Sequence, residues 1–432
     1  MTDPADSPRI LAADAPLPDA QGPASFSLMT WNVLLPNSFR GWWVYKFYEP
    51  DVPRECSAWP HRQVLIARQF AAARADVVCV QEAIPESFDA DFAFAAEHGY
   101  DRVLHGKGDL RCATFWRRSR FEPADAPKHS DRTLVTPLRE VAGERRTVHV
   151  VNVHLKAGGD AARRLRQTED ALEVVHKWLR ARGRPSLRAA VVVAGDFNAS
   201  PDGSAVCELL ARGAVAPAFR EPGLPDLALT TRERTQPFGR FEDAYSLALG
   251  DAAPPTMRIP VRDDFFVDQA TGGLSRDAES AMRALFRRFA GSADVLDRAG
   301  VERWISAVNG QPGRGSEWDK AMAVFAAKGR EALSEDDMVA LYTAELAEGK
   351  PWGVVHDLHA TGALPVLPPH RVWAERVDRV HYTTESLALA AVRDPLTAAQ
   401  WATLKERNET LPNAWHPSDH LPVAAVLRWR AG

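Results

Sequence analysis

Cysteine is scarce in this chain. Cys56, Cys79, Cys112 and Cys207 are its four cysteines in 432 residues, and their spacing fits neither a zinc site nor a disulfide framework. That points to a reducing, cytoplasmic setting. Cys79, inside the run DVVCVQ, reads as a small core residue. Long apolar runs are missing as well. None approaches the roughly 20 residues of a membrane helix, so no membrane partner is expected. An excess of charge of one sign is the third absence. The net charge of −4 leaves no electrostatic footprint for duplex nucleic acid or an anionic surface. A small or single-stranded phosphorylated substrate stays compatible, because local arginine clusters decide there. The opening residues lack the basic-then-apolar order of a signal peptide, and their Pro, Ala and Asp content reads as a disordered tail over 1–24. No solenoid repeat is visible.

What is present is an ordinary globular composition, 45% apolar and 25% charged, in a chain long enough for a large core. Strand and helix patterns alternate. FSLMTW reads as a strand, 61–74 as a helix, DVVCVQ as a strand, and 86–98 as a helix. RRTVHVVNVHL reads as a long strand, 160–182 as a long helix, and AAVVVAG as a strand again. This predicts an α/β protein with helices covering the outer faces of sheets. From about residue 263 the strand signals vanish. They return after Pro365 in RVDRVHYTT and LPVAAVLRW. The helical block 263–363 is therefore an insertion into one α/β domain made of 25–262 and 364–432.

Residues 191–203, VVVAGDFNASPDG, are the most telling stretch. A buried β-branched run ends at Gly195, setting Asp196 and Asn198 side by side at a strand end, a pairing suited to a phosphoryl group, a water and a divalent cation. A helix cap built from Asn198, Ser200 and Asp202 is the alternative. Other strand ends bear similar groups: Asn32 after MTW, Glu82 after VVCVQ, His154 after VVNV, Asp378 in RVDRVHY, and Asp419-His420 in WHPSDHLP. Ligands of α/β proteins bind at such edges. Singly, Glu82 reads as a helix-starting carboxylate, His154 as a core histidine, Asp378 as a partner of Arg376 or Arg379, and His420 as a turn residue. Together they point to a site.

The blocks TWNV, QE, NVHL, GDFN and SDHLPV, in this order, resemble the endonuclease/exonuclease/phosphatase superfamily with its DNase I-like fold. WNVLLPN, SAWPHR, CATFWRRSRF, HLKA and EDAYSLALGDAAPPT are similar to its deadenylase and nocturnin-like branch. The resemblance covers roughly 25–262 and 364–432. It implies a four-layered sandwich of two mixed β-sheets flanked by helices. It also implies an enzyme that hydrolyses a phosphoester by in-line attack of water. Glu82 would be the principal Mg²⁺ ligand, with Mn²⁺ as a substitute, helped by Asn32 and with Asp419 beside the metal. Asp196 would activate the water, while Asn198 and His154 would contact the phosphate. Asp378 would hold His420 in one tautomer, and His420 would bind a phosphoryl oxygen.

Lys156 is a candidate for a second phosphate, or else a solvated surface charge. Trp373 is a candidate for base stacking, or else packs against the insertion. The insertion looks similar to a degenerate EF-hand pair around 286–308 and 322–346. It lacks the D-x-D-x-D-G spacing of a Ca²⁺ loop, so Ca²⁺ is not expected there, and a lid or a protein-docking module is. Three functions stay open. The first is a phosphatase or phosphodiesterase for a small phosphorylated molecule or nucleotide. The second is a 3′-exonuclease on single-stranded RNA, and the third a catalytically silent interaction module.

Overall fold

The computed structural model describes residues 8–17, 24–48, 51–200, 203–222, 228–290 and 295–430. The chain separates into two compact units. The first comprises 1–41, 58–259 and 374–432, and the second comprises 42–57 and 260–373.

The first unit is built on two seven-stranded mixed sheets. Strand Ser25–Asn32 runs parallel to Val77–Ala83 in one, and Thr147–His154 parallel to Ala190–Asp196 in the other. Alternate side chains explain the layering. Phe26, Leu28, Val77, Cys79, Val148, Val150, Val192 and Ala194 share the core between the sheets. Their neighbours Met29, Trp31, Val78 and Val80 face outward, packed with Ile66 and Phe70 of helix Trp59–Ala73. On the other sheet Val151, Val153, Val191 and Val193 pack with Leu172 and Val175 of helix Ala161–Arg180. Strands buried on both faces must be apolar without a break, which is why VVCV and VVVA read as continuous runs. The result is helix, sheet, sheet, helix, the expected four-layered sandwich.

Several expectations are corrected. The tail 1–24 is not wholly without structure, because Arg9–Leu11 pairs in parallel with residues 391–393 and Leu17 is buried. Residues 1–7 and 18–23 lie outside the described residues. The expected helix over 86–98 is two short ones, Phe88–Asp91 and Ala93–Glu97, parted at Phe92 with φ −117°. Strands Thr133–Glu140 and Leu387–Arg393 had no counterpart in the sequence pattern.

The insertion is wider than 263–363. Its compact unit takes in 42–57, where Lys46, 2% exposed, pairs with Asp357 at 2.9 Å and Glu317 at 3.2 Å, and Trp43 and Phe47 pack on Trp352. In this unit Arg276–Ala290 and Arg298–Asn309 form one helix–loop–helix, and Ser316–Lys328 and Glu335–Ala347 a second. Their loops pair through Leu296↔Leu333 and Asp297↔Ala332. The acids beside the loops cap helices: Asp297 accepts from Gly300 N–H, and Asp337 forms a capping box with Ser334. Residues 291–294 of the first loop lie outside the described residues.

Gly195 fixes how closely the two central strands of the second sheet meet. Its φ is +147°, and an added Cβ would sit 1.9 Å from the Val153 carbonyl oxygen. Gly195→Ala is expected to cost about 3 kcal/mol, the scale of a forced overpacking. Urea unfolding of the purified variant checks this, and an unchanged midpoint would contradict it.

Candidate active site

The parallel pairings bring four strand ends to one edge of the sandwich. Asn32 and Glu82 come from the first sheet, and His154 and Asp196 from the second. Asp196 lies opposite both His154 and Asp378 in register. Glu82 gets there through a bulge. The pairing of its strand with Arg111–Arg117 shifts register between Val80 and Ala83, and Glu82 takes φ +67°. A bulge with a left-handed residue re-aims a side chain at local backbone cost.

Asn32 joins the two sheets at this edge. Its Nδ2 donates to Glu82 Oε1 and to Asp196 Oδ2, both at 3.1 Å, while its Oδ1 accepts from Leu34 N–H. Glu82 Oε2 accepts from Leu35 N–H at 3.0 Å, and Asp196 Oδ1 from Asn198 N–H at 2.8 Å. Burial pushes both carboxyls up from their usual range; Asp419 raises Glu82 further and Asp378 raises Asp196 further. His154 Nε2 lies 3.8 Å from Glu82 and 3.7 Å from Asp196, and burial lowers this imidazole to about 4. It is therefore neutral near pH 7. Its Nδ1 is buried without a partner among the described residues.

His420 is the opposite case. Burial would lower it, but Asp378, Asp419 and Asp196 together hold it well above its usual range. Its Nδ1 donates to Asp378 Oδ2 at 2.8 Å, which leaves Nε2 for another partner. Asp378 is itself anchored, its N–H donating to Thr256 Oγ1 at 2.9 Å. Ligand atoms of Asp196, Asp378 and His420 all lie within 4.8 Å of one another. Since His420 Nδ1 and Asp378 Oδ2 are engaged with each other, we read the two residues as a hydrogen-bonded dyad rather than as cation ligands.

The sequence-selected residues thus largely converge, with qualifications at four of them. Asn32 turns its amide nitrogen, not its oxygen, toward the acids. Asn198 donates Nδ2 to the Leu155 carbonyl at 3.0 Å, so that proton is already engaged. Trp373 belongs to the second unit and is 44% exposed. Lys156 is half-buried two residues beyond His154, and its ammonium has no hydrogen bond or ion pair among the described residues.

Two arginines were missed. Arg62, fully buried, donates to the carbonyls of Val33, Leu34, Leu35 and Pro417 and so ties together the loops after the first strand and before Asp419. SAWPHR contains it, but nothing in that string announces a carbonyl-binding guanidinium. Arg132 lies close enough to depress His154, and its carbonyl accepts from His154 N–H at 3.0 Å. It sits in a turn with no sequence signal at all.

A family profile described as the Endonuclease/Exonuclease/phosphatase family matches residues 29–420. The chain belongs to that family. Its sequence similarity falls in the deadenylase and nocturnin-like branch. It is 28% identical over 257 residues to Carbon catabolite repressor protein 4 homolog 2 of Arabidopsis thaliana, covering 48% of this chain and 40% of that protein. It is 28% identical over 203 residues to Nocturnin of Xenopus laevis, covering 42% of this chain and 50% of that protein. The matches thus span half or less of these curated relatives. Among solved structures, ANGEL2, a 2′,3′-cyclic phosphatase bound to adenosine-2′,3′-vanadate, shares the fold with a TM-score of 0.54 at 16% identity. That match covers 94% of this chain and 96% of ANGEL2.

Arg62 generates a prediction. Lysine keeps the charge but not the planar fork that reaches several carbonyls at once. Arg62→Lys should lower kcat by about 10²-fold, the cost of misplacing reacting groups by about 1 Å. KM should change little. Steady-state kinetics on a folded variant decides it, and a near-normal kcat would remove the positioning role.

Proposed function

We propose that this hydrolase cleaves a phosphoester of a small phosphorylated molecule or nucleotide, using water activated by Asp196. The observation that carries the reading is the Asn32 amide held between Glu82 and Asp196, beside the Asp378–His420 pair. Asp196 is oriented at both oxygens, and its burial makes it a stronger base than a solvated aspartate. It takes the proton of the attacking water. The water oxygen bonds to phosphorus as the ester oxygen departs on the opposite side. His420, fixed through Nδ1, presents Nε2 to a phosphoryl oxygen, and neutral His154 is placed to donate to another. Arg132 and Lys156 add positive charge for the phosphate.

The donor set fits a hard divalent cation. Glu82, Asp196 and Asp419 gather buried carboxyl oxygens at one edge, with His420 offsetting their charge only in part. Glu82 and Asp419 supply oxygens, and Asn32 supplies one only with its amide turned over from the pairing seen. When bound, Mg²⁺ or Mn²⁺ neutralises charge developing on the phosphoryl oxygens.

A second reading, hydrolysis at the 3′ end of single-stranded RNA, is favoured by the deadenylase and nocturnin relatives and by the cyclic-phosphate chemistry named for ANGEL2. The net charge of −4 favours the first. A silent interaction module has no use for so complete a set of strand-end groups. The helical unit is free to serve as a protein-docking module in either case.

Wild type and Asp196→Ala are to be compared, with Mg²⁺ and with EDTA, on four kinds of substrate. These are mononucleotides, phosphorylated dinucleotides, 3′-hydroxyl oligoadenylate and oligoadenylate ending in a 2′,3′-cyclic phosphate. Metal-dependent phosphate release from the small molecules is expected, with at least about 10³-fold loss in the variant. Laddering of the oligonucleotide alone would transfer the assignment to RNA. Equal rates in the two proteins would remove Asp196 from the chemistry.

A further inference from the structure

The same strands that end at the carboxylate cleft begin, at the other end of the sandwich, around a second concavity. A cavity of about 800 Å³ opens where Thr147–His154 and Ala190–Asp196 start, lined by five arginines and two glutamates among other residues. His149 lies five residues before His154 on the same extended strand, so the two imidazoles are roughly 17 Å apart. The cavity is thus separate from the cleft.

Its charges are unevenly spent. Arg145 pairs with Glu122 at 2.6 Å, and Arg146 with Glu140 at 3.0 Å. Arg184 and Arg188, exposed at the rim, have no side-chain hydrogen bond or ion pair among the described residues. Unpaired surface arginines alone would mean little. The cavity wall adds a buried polar atom that protein folding does not leave unsatisfied without reason.

His149 is 2% exposed, and its Nδ1 faces the Ala190 carbonyl oxygen at 3.3 Å. Burial, reinforced by Arg184, lowers this imidazole to about 4. The ring is therefore neutral, its Nδ1–H directed to Ala190, and its Nε2 is an acceptor. That Nε2 is buried without a partner among the described residues. Trp178 closes one side of the imidazole, with ring centroids 4.7 Å apart.

We propose that this cavity is a second anion-binding site for a small phosphomonoester that also carries a hydroxyl or amino group. The phosphate sits between the guanidinium groups of Arg184 and Arg188, a geometry arginine favours. The hydroxyl or amine donates to His149 Nε2. Inorganic phosphate satisfies the arginines alone; a nucleoside monophosphate satisfies the whole set. The inference is independent of what the cleft hydrolyses.

Isothermal titration of the full chain carrying Asp196→Ala, in EDTA to suppress turnover, tests it with adenosine monophosphate and inorganic phosphate as probes. Both should bind, the nucleotide more tightly. Adding Arg184→Gln and Arg188→Gln, both on the surface, should weaken each probe by about tenfold or more, since two charge-assisted hydrogen bonds are lost. Adding His149→Phe should abolish the preference for the nucleotide while sparing phosphate. Absence of binding at millimolar probe would overturn the proposal. So would affinity unchanged by the arginine substitutions, which would place the probes elsewhere. A nucleotide preference that survives His149→Phe would overturn the role given to that nitrogen.

Discussion

Glu82 and Asp196 approach one amide nitrogen from different sheets, and this contact organises the catalytic edge. Two buried carboxylates so close together repel, and burial already disfavours their charge. The Asn32 amide lowers that cost with two hydrogen bonds but brings no charge. His420 offsets part of the acids' charge, and a cation or a proton meets the rest. Everything around it works to keep the carboxylates in place despite the repulsion. Leu35 and Asn198 offer backbone N–H groups, Arg62 rigidifies the loop that presents Leu35, and the bulge at Glu82 aims its side chain inward.

Beneath the site the sheets are tied by a second polar contact. Gln81 Nε2 donates to Asn152 Oδ1 at 2.8 Å, and Asn152 Nδ2 donates to the carbonyls of Val80 and Ala113. Both amides are fully buried among apolar side chains. Two such groups specify one relative position of the sheets, since any slip leaves several of them unsatisfied. An all-apolar core between the sheets would tolerate sliding; this one does not. Precision at Asn32, Glu82, His154 and Asp196 follows from that fixed register.

The sequence made the strand ends legible for a simple reason. A strand buried on both faces is a continuous apolar run, so the polar residues that end it stand out, as Gln81 and Glu82 do after VVCV and Asp196 after VVVAG. Strand Leu387–Arg393 escaped notice because alanine-rich LALAAVR carries no period of its own, and the partners that make it a strand are distant in the chain. The reach of the helical unit back to 42–57 was hidden likewise. A lone lysine in WWVYKFY looks like surface, and only Asp357 and Glu317, some 300 residues later, make it a buried ion pair. Arg62 and Arg132 were invisible because their partners are main-chain atoms and a neutral histidine, which leave no complementary residue to find.

Strand Thr147–His154 shows how one element serves two unlike environments. Both of its terminal histidines are neutral through burial, each lowered to about 4. At His154 the Nε2 atom faces acids, so the imidazole is useful as a donor beside negative charge. At His149 the unpaired nitrogen is Nε2, and Arg184 lowers the ring, so it is useful as an acceptor beside positive charge. Between them the strand is buried and paired on both edges, with no second arrangement available to it. A ligand at the arginine-lined end would therefore stabilise the fold by mass action rather than switch the cleft, because coupling requires an element with two states.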